Sequence, residues 1–183
     1  MKFCSQCGNP VNLKMPDGDN RERHVCDHCD TIHYQNPRII AGCIPVLDDK
    51  VLLCRRAIEP RLGLWTLPAG FMENGETSLQ GALRECEEEA NARIDNPKLS
   101  GIFDIPHINQ VYMFYRGAMS DVNFSPGIES LEVTLFYEHE IPWHELAFPV
   151  IELALRHHFE DMKASQVEVR TGTITRSWKN LKS

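Results

Sequence analysis

Apolar positions along the chain change their spacing several times, and each change marks a boundary. The N-terminal part holds no sustained apolar run and turns on Pro16-Asp17-Gly18-Asp19-Asn20, a string of turn formers. At Tyr34-Gln35-Asn36-Pro37 the composition shifts, and Ile39 to Leu47 follows as a long apolar, β-branched segment. Asp48-Asp49-Lys50 turns it back into Val51–Arg56, so the two read as a hairpin. Leu64–Ala69 is a short extended stretch leading into Gly70. From about Thr77 to Ala92 the spacing becomes helical, with Leu79, Ala82, Leu83, Cys86 and Ala90 on one stripe and Thr77 or Ser78 able to cap the first turn. Strand patterns return at Gln110–Arg116 and Glu132–Tyr137. A second helix is expected over Pro149–Met162, and the polar tail from Ser165 offers at most a short strand at Val167 and Val169. Three segments result: 1–36, 37–164 and a tail, 165–183. Strands mixed with two long helices predict an α+β or mixed α/β core.

Composition narrows the class. The 183 residues are 42% hydrophobic and 25% charged, the balance of a folded globular chain. No apolar run approaches the roughly 18–20 residues that span a bilayer, and MKFCSQCGNP is no signal peptide, so a cytoplasmic protein without a membrane partner is expected. Nineteen Lys and Arg against 26 Asp and Glu leave a net charge of −7 and no basic block, which argues against nucleic acid as a partner. A phosphate-bearing small molecule remains open to it, because a divalent cation can supply the positive charge.

Four of the seven cysteines fall in two CxxC knuckles, Cys4-Cys7 and Cys26-Cys29, with 18 residues between them. Two such turns converge four thiolates on one tetrahedral Zn²⁺, and a shell filled by four cysteines leaves no open position, so the ion's role is structural. A redox CxxC is usually single and tied to a βαβ unit, a pattern absent here. His24, His28 and His33 are not needed as ligands. Residues 1–36 carry four basic and five acidic side chains, which lack the footprint of a nucleic-acid-binding ribbon. Cys43, Cys54 and Cys86 read as buried thiols.

The helix at 77–92 carries the chemistry. At about 100° per residue, Glu85, Glu88 and Glu89 share an arc beside the apolar stripe. Like charges at that spacing repel, and Arg84 offsets only part of it; hard oxygen-liganded cations such as Mg²⁺ or Mn²⁺ would make the cluster favourable. Gly81, one turn before Glu85, would leave room for an ion or phosphate. A plain solvated acidic face is the competing reading of the run taken alone.

The frame around the run decides between them. Gly70, five residues, Glu76, seven residues, then Arg84-Glu85-Cys86-Glu87-Glu88-Glu89 resembles the Nudix box, Gx5Ex7REUxEExGU with U apolar; Asn91 stands where that pattern has its last glycine. The resemblance implies an α/β/α sandwich on a mixed sheet, preceded by a small zinc ribbon. It implies metal-dependent hydrolysis of a pyrophosphate linked to a nucleoside. It also implies Glu85 and Glu89 as principal metal ligands, Glu88 as a further ligand or base, Glu76 as a supporting loop glutamate, Arg84 as the orienting arginine, and the Ala69 carbonyl as a backbone ligand. A base on a later loop is expected at Glu129 or Glu132. Arg55 and Arg56 are candidates to hold phosphates, and Trp65, Phe71 and Tyr112 to contact a base; each could as well be packing. The chain is similar to the zinc-ribbon subgroup of plant plastid enzymes that act on FAD and ADP-ribose, through Tyr34-Gln35-Asn36-Pro37, Gly63 to Gly70, Asp104-Ile105-Pro106 and Pro126 to Glu132. It lacks the SQPWPFPxS stretch of the NADH pyrophosphatases. AMP release from ADP-ribose or FAD is therefore expected, ahead of NADH or another nucleotide sugar, and ahead of a noncatalytic nucleotide sensor. Such relatives often pair as homodimers.

Overall fold

A computed structural model describes residues 1–164 and 168–175. The chain divides into two compact units, Met1–Pro37 and Arg38 onward. In the first, strands β1 (Val11–Lys14), β2 (Arg23–Cys26) and β3 (Ile32–His33) form an antiparallel sheet in that order. The tip between β1 and β2 closes because Asp19 accepts hydrogen bonds from the amides of Asn20 and Arg21 and pairs with Arg23. Only Cys4, Val25, Cys26 and His33 are buried in this unit, too little apolar surface to stabilise so short a fold without a staple.

The second unit is built on one mixed sheet. Its strands are β4 (Arg38–Leu47), β5 (Lys50–Arg56), β6 (Trp65–Thr66), β7 (Ala69–Phe71), β8 (Ile94–Ile105), β9 (Gln110–Met119), β10 (Ser130–Phe136) and β11 (Arg170–Thr173). The path runs β10-β5-β4-β9-β8-β11; β4 and β9 are parallel, as are β8 and β11, and the other pairs are antiparallel. β4 forks: its Val46–Leu47 end pairs with β5, and its Ile40–Gly42 end pairs with β7.

Helix α1 (Ser78–Ala90) covers one face and α2 (Pro149–Ala164) the other. Strand alternation sorts the core between them. On β5, Val51 and Leu53 pack toward α2 with Ile44, Phe103, Phe114 and Leu155, while Leu52 and Cys54 pack toward α1 with Ala41, Cys43, Ala82 and Cys86. The α1 side is lined by small residues, which lets that helix lie close to the sheet. Thr77 caps it reciprocally with Gln80, and Asn91 ends it in the left-handed conformation at φ 48°. This is the α/β/α sandwich expected.

Two elements differ from expectation. β8, 12 residues long, was not anticipated: Asn96 at positive φ and two register shifts break its alternation, so no period-two signal survives. Within the expected tail, a strand lies at Arg170–Thr173; Val169 precedes it and is exposed, and the expectation at Val167 falls outside the described residues. β11 pairs parallel to β8, the following Ile174 is buried with its amide on the Asp104 carbonyl, and Arg170 forms an ion pair with the buried Asp161 of α2.

Candidate functional site

The site grows from the last two turns of α1. Glu89 is 6% exposed and points at the start of β7, where the Ala69 amide donates to its Oε2 at 3.2 Å. One turn earlier the Glu85 carboxylate lies over Gly70, so close that a β-carbon there would stand 2.3 Å from Oε1. That contact explains the glycine. Arg84 ties the cluster together: it donates to Glu76 at 3.1 and 2.9 Å, Glu85 at 2.6 Å, Glu88 at 2.9 Å and the Phe71 carbonyl at 3.2 Å. The expected role of Gly81 is corrected by the geometry. The space beside it is filled by Glu76, whose Oε1 would lie 2.7 Å from a β-carbon, so this glycine makes room for the supporting carboxylate rather than for an ion.

Electrostatics follow from burial. Arg84 and the Glu73 amide hold the Glu76 carboxyl down to about 2. Burial pushes Glu89 up to about 8; the Ala69 amide opposes this, and the charges of Glu85 and Glu129 add to it. Glu85 is raised as well, by burial first, against the pull of Arg84 and with Glu88 and Glu129 adding repulsion. One arginine thus serves a cluster whose buried members are short of positive charge, and every free donor atom in it is a carboxylate oxygen. That donor set fits a hard divalent cation.

The cluster forms one pole of a cleft of about 1580 Å³. Glu85, Glu88, Glu89 and Glu129 line this pole, and Ile40, Ile105, Ile108, Tyr112, Phe148 and Ile174 line an apolar arm. Arg56 also lines the cleft, with its guanidinium 5.3 Å from the Phe148 ring centroid; its charge opposes the rise at both Glu89 and Tyr112.

Of the residues expected from sequence, Arg56, Ala69, Phe71, Arg84, Glu85, Glu88, Glu89 and Tyr112 line this cleft. Four others do not: Glu76, which binds Arg84 instead, and Arg55, Glu132 and Trp65. Arg55, on the opposite face of β5 from Arg56, bonds to the Gly63 carbonyl and lies 3.7 Å from Glu132. Glu132 is engaged there, with Thr134 also donating to it, so the loop carboxylate facing the cluster is Glu129. Trp65 is 7% exposed and meets Phe136 edge-on at 4.9 Å, as a core residue. Ile105, His107, Gln110, Phe148 and Ile174 were missed as cleft residues. Gln110 begins an expected strand and Phe148 precedes an expected helix, but nothing in their spacing says which wall they build.

In the first unit, the sulfurs of Cys4, Cys7, Cys26 and Cys29 lie within 4.8 Å of one another. Cys4–Cys29 and Cys7–Cys26 are 3.6 and 3.5 Å apart, near the edge of about 3.8 Å in a tetrahedral shell with Zn–S of about 2.3 Å. The Gln6 amide donates to Cys4 and the Asn9 side chain to Cys7, as expected around thiolates. His33 is buried with Nε2 3.3 Å from the Cys4 sulfur, outside the four-sulfur set.

Residues 36–161 match the model of the NUDIX domain, and residues 2–35 match that of the zinc-ribbon Nudix N-terminal domain. The chain belongs to the NUDIX family. The box resemblance carried by Gly70 to Ala92 is borne out, as is the ribbon ahead of it. A crystal structure of a NUDIX hydrolase from Nitrosomonas europaea is 55% identical, covers 95% of this chain and 99% of its own, and superposes with a TM-score of 0.91. The NAD-capped RNA hydrolase NudC of Edwardsiella ictaluri (strain 93-146) is 38% identical over 98 residues, 52% of this chain and 35% of that protein. The Nudix hydrolase YvcI of Bacillus subtilis (strain 168) is 32% identical over 112 residues, 58% of this chain and 65% of its own. The match thus spans about a third of the NudC protein and just under two thirds of YvcI. Among the described residues, no helix of this NUDIX protein is long and apolar enough to cross a membrane.

Proposed function

We propose that this chain is a divalent-metal-dependent hydrolase of the pyrophosphate bond in a nucleoside diphosphate derivative, ADP-ribose or FAD, and that it releases AMP. The observation that carries this reading is the pairing of Glu85 with the buried Glu89 at one pole of a cleft whose other arm is apolar and aromatic. Two carboxylates crowded out of water with little positive charge beside them are an unfavourable arrangement until a cation joins them.

Glu85, Glu88, Glu89 and the Ala69 carbonyl would hold Mg²⁺ or Mn²⁺. When bound, such an ion offsets charge on the diphosphate and lowers the pKa of a coordinated water. Arg84 fixes the glutamate rotamers through its hydrogen bonds, with Glu76 anchoring it from the loop. Arg56, whose guanidinium lies 5.3 Å from the Phe148 ring and whose charge reaches Glu89, clamps a phosphate oxygen. Glu129 accepts the proton of the attacking water as its oxygen bonds to phosphorus and the bridging P–O bond breaks. Tyr112 and Phe148 hold the nucleobase in the apolar arm. Phe71 stacks on Arg38 at the cleft and is 48% exposed, able to cover the substrate. In the first unit Cys4, Cys7, Cys26 and Cys29 hold a structural Zn²⁺.

The test is a substrate panel on zinc-loaded full-length protein with Mg²⁺ or Mn²⁺, with products identified by chromatography. AMP from ADP-ribose or FAD is expected; if both stay intact, the substrate assignment fails. A second reading, hydrolysis of NADH or an NAD-capped end, draws on the name of the NudC relative. NADH as the one compound cleaved would favour it. Tight binding of ADP-ribose without turnover would favour a sensor.

A further inference from the structure

The residue that departs from the Nudix box pattern is tied to the loop opposite it. Asn91 ends α1 at φ 48° and ψ 30°, a conformation a glycine would adopt freely, so the backbone alone does not call for an amide side chain. That side chain reaches across instead. Its Nδ2 donates to the carbonyl of Ser125 at 3.1 Å and to that of Pro126 at 3.4 Å. The same loop is stitched to the helix end by two backbone bonds, Ser125 N–H to the Ala90 carbonyl at 2.9 Å and Gly127 N–H to the Glu89 carbonyl at 3.0 Å. Gly127 lies so near the helix that a β-carbon would stand 1.7 Å from the Glu88 carbonyl oxygen. Just beyond it comes Glu129, whose own carbonyl accepts from the Ala57 amide at 2.8 Å, past the end of β5. The loop therefore hangs Glu129 between two fixed supports, and the Glu129 charge is felt at both Glu85 and Glu89.

We propose that Asn91 is a positioning residue: its amide fastens the 125–129 loop to the C-terminal end of α1 and thereby sets where the Glu129 carboxylate stands over the acidic pole. The role goes beyond helix termination. Ser125 and Pro126 present carbonyl oxygens that only a donor can bridge, and the amide is the side-chain donor that meets them. This rests on the hydrolase reading above, because Glu129 is given its task there.

The experiment compares the full-length protein with Asn91→Gly, Asn91→Asp, Glu129→Gln and the double variant Asn91→Gly with Glu129→Gln. Turnover of ADP-ribose or FAD is measured with Mn²⁺, and amide hydrogen exchange is followed at Ser125 and Gly127. Glycine keeps the left-handed turn and loses the donor; aspartate keeps the shape and turns an oxygen toward two carbonyls. Both are expected to fold, to exchange faster at Ser125 and Gly127, and to lose about tenfold in kcat with KM little changed, within the roughly hundredfold that misplacing a catalytic group by about 1 Å can cost. The double variant should be no slower than Glu129→Gln alone, because a support adds nothing once the supported group is gone. Wild-type kcat in either single Asn91 variant, or losses that multiply in the double variant, would overturn the proposal. If the wild-type chain cleaves none of the substrates, the hydrolase reading falls, and exchange still decides the fastening: unchanged rates in Asn91→Gly sink it, and faster rates sustain it.

Discussion

Glu89 concentrates the tension of the site. It is nearly enclosed, and its carboxyl is pushed up to about 8, yet it keeps one amide donor, from Ala69. Glutamine is its isostere without the charge. Glu85→Gln and Glu89→Gln are each expected to lower turnover by about two orders of magnitude or more, since each removes the charge of an oxygen proposed to hold the metal. Zinc content should persist by elemental analysis. For Glu89→Gln, the melting temperature of the metal-free protein should hold or rise, because no charge remains to be buried. Near-normal turnover in both variants would contradict the assigned roles. At this scale much was legible. Arg84, Glu85, Glu88, Glu89 and Glu76 sit within one helix and the loop that feeds it, where spacing alone brings side chains together. Arg55, Trp65 and Glu132 were not legible, because each depends on which face of a strand points toward the cleft. Arg55 and Arg56 are neighbours with opposite fates, and only pairing with β10 and β6 settles their parity.

The same distinction holds for elements. α1 announced itself by period, by a cap at Thr77 and by Asn91 at its end. β8 did not, because its bulges shift the register twice and Pro97 interrupts it. β11 is four residues long with no apolar alternation, and it exists through pairing with that unannounced strand and through the ion pair of Arg170 with Asp161. The α2 face toward β9 carries a pH-sensitive contact. His158 is 1% exposed, and burial, with the charge of Arg116 adding to it, pushes its pKa down to about 4 against the pull of Asp161. The unfolded chain takes up this proton first, near pH 6.5. Stability from a neutral His158 is therefore whole above that pH and is lost as pH falls toward 4, in total on the order of 3 kcal/mol. Urea unfolding of wild type and His158→Gln at pH 7, 5.5 and 4.5 is expected to show the wild-type advantage shrinking with each step. An advantage that stays constant would place the titration elsewhere.

Across the molecule, two units meet the demands of folding by different means. From Arg38 onward the chain has a two-sided apolar core, whereas the first unit buries little besides two of its four clustered cysteines, a valine and a histidine. Removing the metal with a strong chelator is expected to collapse the NMR dispersion of residues 2–35 while that of the second unit persists. Retained ribbon signals after complete metal loss would contradict a structural ion. The fork of β4 has a reach of its own. At the branch, Gly42 faces Ala69 and the Pro68 carbonyl so tightly that a β-carbon would come within 2.4 and 2.7 Å of them. Ala69 is also the residue whose amide steadies Glu89. A single methyl at position 42 would act as a wedge driven into the seam between two strands. Gly42→Ala should thus weaken metal-dependent turnover although residue 42 approaches no substrate, so that the width of one backbone contact becomes a setting of the chemistry.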